Sequence, residues 1–220
     1  MEFDVMSALR GDYTKSRDLR MEARSYFYAP RKSFVSAEGY EYLAVIVGWL
    51  DGMGWECREF LRKVCFSGLM WYRPTHVLTA QLHDPLRECT GLLILSLQLN
   101  IRHLYEAYSL DLDTYLRCTK RQLRDCPLPP VNVGDWAKTV VELPALACFN
   151  MDIVFGADTF KVSNGEELNY RAFGARGNRL TEQVGRELKQ KISELSPGNE
   201  VVVKVRYIGG DERMYYGVPW

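Results

Sequence analysis

Apolar residues in the first half of the chain recur at helical spacing. Phe3, Met6 and Leu9 form a short amphipathic turn closed by Gly11, and Leu19, Ala23, Tyr26 and Phe27 repeat the pattern. Tyr40 to Leu50 mixes aromatic and β-branched residues with helical neighbours and is read as a buried helix. Cys57, Phe60, Leu61 and Val64 stand at i, i+3, i+4 and i+7, which predicts one apolar stripe with Glu56, Arg58, Glu59, Arg62 and Lys63 around it. At Asp84-Pro85 an N-cap acceptor precedes a proline suited to a first helical position, and Glu88 falls in the first turn. A helix is therefore expected from there to Tyr108. Between Leu92 and Leu99 its apolar residues cover every face, which predicts the central rod of the helical half. Asp111 or Asp113 then caps a further helix lined by Leu112, Leu116, Thr119 and Leu123.

The run Cys126-Pro127-Leu128-Pro129-Pro130 interrupts any helix or central strand, because proline lacks the backbone donor and fixes φ. It divides the chain into a helical region 1–126, a Pro-rich junction 127–134 and a sheet-plus-helix region 135–220, or into parts of one continuous domain. Beyond it, Lys138 to Leu143 and Ala147 to Phe155 read as strands. Asn164-Gly165, between Phe160-Lys161-Val162 and Leu168-Asn169-Tyr170, carries the signal of a two-residue hairpin turn. Leu180, Val184, Leu188, Ile192 and Leu195 define an amphipathic helix stopped by Ser196-Pro197-Gly198. Val201 to Ile208 and Met214 to Val218, joined through Gly209-Gly210-Asp211-Glu212, read as a last hairpin. The expected fold is α+β: a helical N-terminal half around a central buried helix, then a C-terminal antiparallel sheet with one packed helix. No internal repeat is visible.

Composition sharpens this picture only a little. At 47% hydrophobic and 25% charged the chain is ordinary globular protein, and 28 basic residues balance 28 acidic ones, so no global field draws it to nucleic acid or an anionic membrane. The densest apolar stretches, Leu43 to Leu50 and Leu92 to Leu99, fall far short of the roughly 20 residues of a spanning helix. The start Met1-Glu2-Phe3-Asp4 lacks the features of a secretory signal, and six cysteines are too few for a disulfide scaffold. A reducing, cytoplasmic location follows as the expectation, with the nucleus as the alternative.

Several groups of residues suggest chemistry. Arg17, Arg20 and Arg24 share a helical face near Tyr13, Tyr26, Phe27 and Tyr28, and Arg117, Lys120, Arg121 and Arg124 form a second basic stripe. Such rows pair phosphates, and aromatic rings stack bases; a solvated helix face, with its aromatics in the core, is the simpler reading of both. Gly174-Ala175-Arg176-Gly177-Asn178-Arg179 reads as a turn between a strand and a helix, where backbone amides, Arg176 and Arg179 make an acceptable anion site; the Lys-Ser or Lys-Thr pair of a nucleotide loop is missing, and turn chemistry alone explains the glycines. Cys89 near His83 is the one thiol-base pair that spacing suggests, and cysteines on apolar stripes more often pack as small hydrophobes. No Cys-x-x-Cys occurs, so neither a metal nor a cofactor is expected, and no catalytic residue is assigned. Trp49, Trp55, Trp71 and Tyr72 make an aromatic-rich region that is either core or a partner-binding patch.

Taken together, these features point to an intracellular interaction or regulatory protein that binds a protein partner through the Trp49 to Tyr72 region or the terminal strand Met214 to Trp220. A viral accessory protein acting on a host factor fits this motif-poor profile. RNA or DNA binding through the basic faces is the first alternative and an enzyme acting on a phosphorylated substrate the second. The Tyr- and Val-rich end of the chain offers an edge for homodimer pairing.

Overall fold

The computed structural model describes residues 17–28, 32–36, 42–67, 76–105, 110–118, 122, 125–154 and 173–208. In chain order these form α1 (Arg17–Tyr28), β1 (Lys32–Ser36), α2 (Tyr42–Met53), the one-turn α3 (Trp55–Arg58), β2 (Lys63–Ser67), α4 (His76–Arg87) and β3 (Ile94–Asn100). A 3-10 turn (Ile101–Leu104), α5 (Leu110–Arg117), α6 (Gly134–Glu142), β4 (Cys148–Val154), α7 (Phe173–Leu195) and β5 (Val202–Ile208) complete them. The five strands build one sheet in the order β1-β2-β3-β4-β5, and every neighbouring pair is parallel.

An antiparallel C-terminal sheet was the expectation, and this topology overturns it: the class is α/β, not α+β. Parallel neighbours need long crossovers, and helices lie in each described connection, where hairpins were anticipated. The hairpin signal at Asn164-Gly165 and the segment Met214 to Val218 lie outside the described residues. The anticipated central helix is also corrected. Leu92 to Leu99 contributes the middle strand, and Asp84-Pro85 falls in the final turns of α4, which ends at Arg87. Lys138 to Leu143, expected as a strand, belongs mostly to α6, because Trp136, Ala137 and Val140 form a helical stripe buried against the sheet. The helix expected over Cys57 to Val64 is split, with Cys57 in α3 and Val64 in β2. Expectation and structure agree on α2, on strands at β4 and β5, and on α7.

The register reveals a repeat that the residues alone did not show. Lys32, Lys63, Ile94, Cys148 and Val202 stand in one row. Successive rows are separated along the chain by 31 residues between β2 and β3 and by 54 residues across both later crossovers. Each β-α unit is thus laid beside the one before it. Parallel crossovers are right-handed, so stepping always to the next strand in one direction returns each connecting helix to the same face. The packing agrees. Trp49 of α2 meets Phe66 edge-on at 5.9 Å, and Trp136 of α6 stacks on Phe149 at 6.3 Å. Gly177 and Gly185 of α7 lie against Tyr207 and Val205, while Leu82 and Leu86 of α4 join the same core. Phe66, Leu97, Met151 and Val205 share one row and Leu95, Phe149 and Val203 the next, all on this face.

The opposite face mixes polar pairs with the buried Cys65 and Val154. Ser67 Oγ bonds Gln98 Oε1 at 2.9 Å, Asn150 Nδ2 donates to Ser96 Oγ at 3.0 Å, and Arg206 grips Asp152 with two bonds of 2.8 and 3.0 Å. The last two pairs join residues directly opposite on adjacent strands. Burial raises the Asp152 carboxyl pKa, and the Arg206 bond and charge oppose that rise.

The Pro-rich junction has no regular structure before α6. It is pinned by Asn132 N–H to the Leu104 carbonyl at 2.7 Å and by Gln183 Nε2 to the Pro129 carbonyl at 2.8 Å. The sheet continues across it, since β3 precedes and β4 follows it. A disulfide joins Cys118 to Cys126, a link the cysteine count had not suggested; Cys57, Cys65, Cys89 and Cys148 are free. Among the described residues no helix is long and apolar enough to cross a membrane.

Candidate functional site

Large apolar side chains exposed on a folded surface mark contact sites when they gather on one side. Among the described residues there are six: Tyr26, Val45, Trp55, Leu93, Leu195 and Val202. Strands run one way and their connecting helices the other, so helix C-termini and strand N-termini share one edge of the sheet. All but Val45 belong to that amino-terminal edge. Val45 sits in the first turn of α2, at the carboxyl end of β1.

Trp55 is placed there by a glycine and an arginine. Gly54 has φ +79°, where a side chain would be strained, and this turn separates α3 from α2. Cys57 and Arg58 face inward and are buried, whereas Trp55 is 65% exposed. Arg58 fixes the arrangement: its Nε donates to the Leu50 carbonyl at 3.0 Å, Nη2 to Asp51 at 2.7 Å and Nη1 to Glu88 at 2.5 Å. It therefore ties α2, α3 and the end of α4 together. A pocket of about 360 Å³ lies beside it, lined by Trp55, Glu59, Glu88 and Thr90.

The other members of the edge are held by backbone bonds. Leu93 N–H donates to the Arg62 carbonyl at 2.8 Å, the Leu93 carbonyl accepts from Ala147 at 2.9 Å, and Val202 donates to the Ala147 carbonyl at 2.9 Å. These bonds run across β2 to β5 where the sheet begins: Val202 stands in its first row and Leu93 one residue before that row. Leu195 ends α7, followed by a turn in which Gly198 has φ +88°. Tyr26 lies near the end of α1, which is fastened to α3 by the 3.0 Å Arg24–Glu56 ion pair. With strands about 4.8 Å apart, the span from β2 to β5 is about 14 Å.

The structure separates the residues that sequence grouped. Trp49 belongs to the core contact with Phe66, whereas Trp55 stands in solvent. Trp71 and Tyr72 lie outside the described residues. Arg17, Arg20 and Arg24 are all on α1, and Arg24 is committed to Glu56. Arg117 is the last residue of α5; Lys120, Arg121 and Arg124 lie outside the described residues, and the helix that would have carried the stripe ends before them. The segment Gly174 to Arg179 is not a turn between strand and helix but part of α7. Arg176 there is buried and donates to the Cys118 carbonyl, and the Arg179 guanidinium lies 5.9 Å from the Tyr115 ring centre.

The thiol-base pair is not formed. Cys89 Sγ donates to the Pro85 carbonyl at 3.5 Å, and burial pushes its pKa to about 12, which keeps it a thiol. His83 instead bonds Thr139. The Thr139 hydroxyl donates to the Asp135 carbonyl at 3.0 Å, which assigns the shared proton to His83 Nδ1, and the ring packs edge-on against Trp136 at 4.6 Å. Burial lowers the His83 pKa to about 4, against the smaller pull of Asp135. Among the described residues no group of three or more His, Cys, Asp or Glu is placed to hold a metal.

Tyr26 entered the sequence reading only as a ring beside the arginines of α1, and Leu93, Leu195, Val202, Glu59 and Glu88 were not singled out as site residues. Only the position of Leu195 just before Ser196-Pro197-Gly198 signalled the end of a helix, and none of the six was marked as lying on a common edge. The fold and this edge define a parallel α/β sheet with its helices packed on one face and its exposed apolar residues on one rim. Comparison with protein-family models, with curated proteins and with solved structures finds no match.

Proposed function

We propose that the chain is an interaction protein that takes up a protein partner along the amino-terminal rim of its sheet. The observation that carries this reading is the gathering of Tyr26, Trp55, Leu93, Leu195 and Val202 on one edge, four of them supplied by different helices or strands and Leu93 by the residue just before β3. β-α units stacked in sequence order form extended surfaces that partners contact across several units at once. Trp55 is the anchor, because an exposed indole backed by a fixed scaffold loses little side-chain freedom when a partner covers it. Truncating such an anchor weakens binding by about 2 kcal/mol or more, roughly thirtyfold.

The test compares three forms of the full chain as bait in nuclease-treated lysate: wild type, a Trp55→Ala/Leu93→Ser/Leu195→Ser/Val202→Thr variant, and Val45→Ser on the opposite edge. Leu93, Leu195, Val202 and Val45 are half-buried, so these substitutions lower the unfolding temperature somewhat, and capture is compared well below the transitions of all three forms. Proteins retained by wild type and Val45→Ser and lost from the rim variant are the expected result. An unchanged set of captured proteins, or retention that nuclease removes, would overturn the reading.

A further inference from the structure

The pocket beside Trp55 has a chemistry of its own. Building on the rim as docking surface, we infer that this pocket receives a cationic side chain, Lys or Arg, presented by the partner. One wall is the exposed indole, whose face attracts cations. The others carry Glu59, Glu88 and the Thr90 hydroxyl. Glu88 gives Oε2 to Arg58 and is still 52% exposed, so its second oxygen remains able to accept a bond. Glu59 is exposed and forms no ion pair among the described residues.

The surrounding cations are already engaged. Arg58 lies under the pocket with a side chain only 9% exposed, held by Leu50, Asp51 and Glu88; Arg24 is bound to Glu56; and Arg62 directs Nη1 at the Glu59 carbonyl. Asp51, Glu56, Glu59 and Glu88 thus outnumber Arg24, Arg58 and Arg62 by one, and the carboxylate without a partner borders the pocket. A carboxylate or phosphate entering there would face Glu59 and Glu88. An uncharged apolar side chain would leave them unanswered. A cation satisfies both carboxylates and the indole face together, and a space of about 360 Å³ accommodates an arginine or lysine side chain.

The test uses blocked pentapeptides with a central Arg, Lys, norleucine or Glu flanked by glycines. Each is titrated into the isotope-labelled full chain while the Glu59 and Thr90 amide signals are followed by NMR. Arg and Lys peptides are expected to shift these signals saturably and more weakly as salt rises, with norleucine and Glu peptides inert. Glu59→Gln should weaken binding about two- to fivefold, the range of an exposed ion pair. Trp55→Ala should weaken it about fivefold or more, through loss of the cation–π contact. Both residues are exposed, so folding is kept.

Equal shifts with the norleucine peptide, or none with any peptide, would overturn the cation pocket. The two readings fail separately. If the rim variant loses its partner while Arg and Lys peptides leave the signals unmoved, the docking rim stands and the pocket's preference falls. If the peptides bind as expected and capture is unaffected by the rim variant, the pocket stands and the rim falls.

Discussion

Two glycines on one helix give a direct test of how α7 lies on β5. Gly177 and Gly185 both lie within α7, and alanine raises helix propensity by about 1 kcal/mol at either position. Their surroundings differ. A Cβ at Gly185 would sit 3.5 Å from the Val205 side chain, an ordinary van der Waals contact, so Gly185→Ala is expected to stabilise the protein by about 1 kcal/mol. A Cβ at Gly177 would fall 2.7, 2.8 and 2.9 Å from three atoms of the Tyr207 ring. Overpacking of this kind costs about 1–3 kcal/mol, which equals or exceeds the propensity gain, so Gly177→Ala is expected to be neutral or destabilising by up to about 2 kcal/mol.

Urea unfolding measures both, and the melting temperatures should separate by about 2–4 °C for each kcal/mol between the variants. In a Tyr207→Ala background the clash is absent, and Gly177→Ala should then stabilise as Gly185→Ala does. If both single substitutions stabilise equally, or the Tyr207 background changes nothing, α7 does not lie on β5 as described.

Three further outcomes follow from buried polar groups. His83 has its folded pKa lowered from 6.5 to about 4, so the unfolded chain binds the extra proton first; stability is complete above pH 6.5 and falls as pH drops toward 4. The loss is about 3 kcal/mol, and urea titrations from pH 7 to 4 should show His83→Gln with a correspondingly flatter profile. Arg58→Met should cost about 1–3 kcal/mol by denaturant unfolding, since it leaves the Leu50 carbonyl without its donor while Asp51 and Glu88 remain half in solvent. Arg206→Ala should destabilise by about 1–3 kcal/mol at neutral pH by leaving the Asp152 carboxylate buried without its partner, and the deficit should shrink on acidification as that carboxyl takes up a proton. A deficit constant with pH would contradict the buried Asp152–Arg206 pair.

Helices and strands with strong local signals were legible in the sequence. The period of Leu180, Val184, Leu188, Ile192 and Leu195 marks α7, and Pro197-Gly198 marks its end. The middle strand was missed although its signal was present: Leu95, Leu97 and Leu99 alternate with Ser96, Gln98 and Asn100, the period of a strand with one apolar face. The preceding Leu92-Leu93-Ile94 hid that alternation by making the run look apolar all round, and Asp84-Pro85 suggested a helix start where a helix was ending. Thr139, Val140 and Val141 favoured extended backbone by propensity, and burial of Trp136 and Val140 against Phe149 overrode it. Parallel pairing and the 31- and 54-residue intervals are facts of register, which no local pattern encodes. The rim was invisible for the same reason: Trp55 was a named candidate, but Leu93, Leu195 and Val202 fall on the same edge only when the strands are laid side by side.

The order β1-β2-β3-β4-β5 also bears on how the chain is born. Each strand pairs with the one synthesised just before it, so translation and folding advance in the same direction. When β3 leaves the ribosome, β1 and β2 already have each other and an open edge waiting. Among the described residues no strand must be held aside for a distant neighbour, which limits the time that their edges stay bare in the nascent chain.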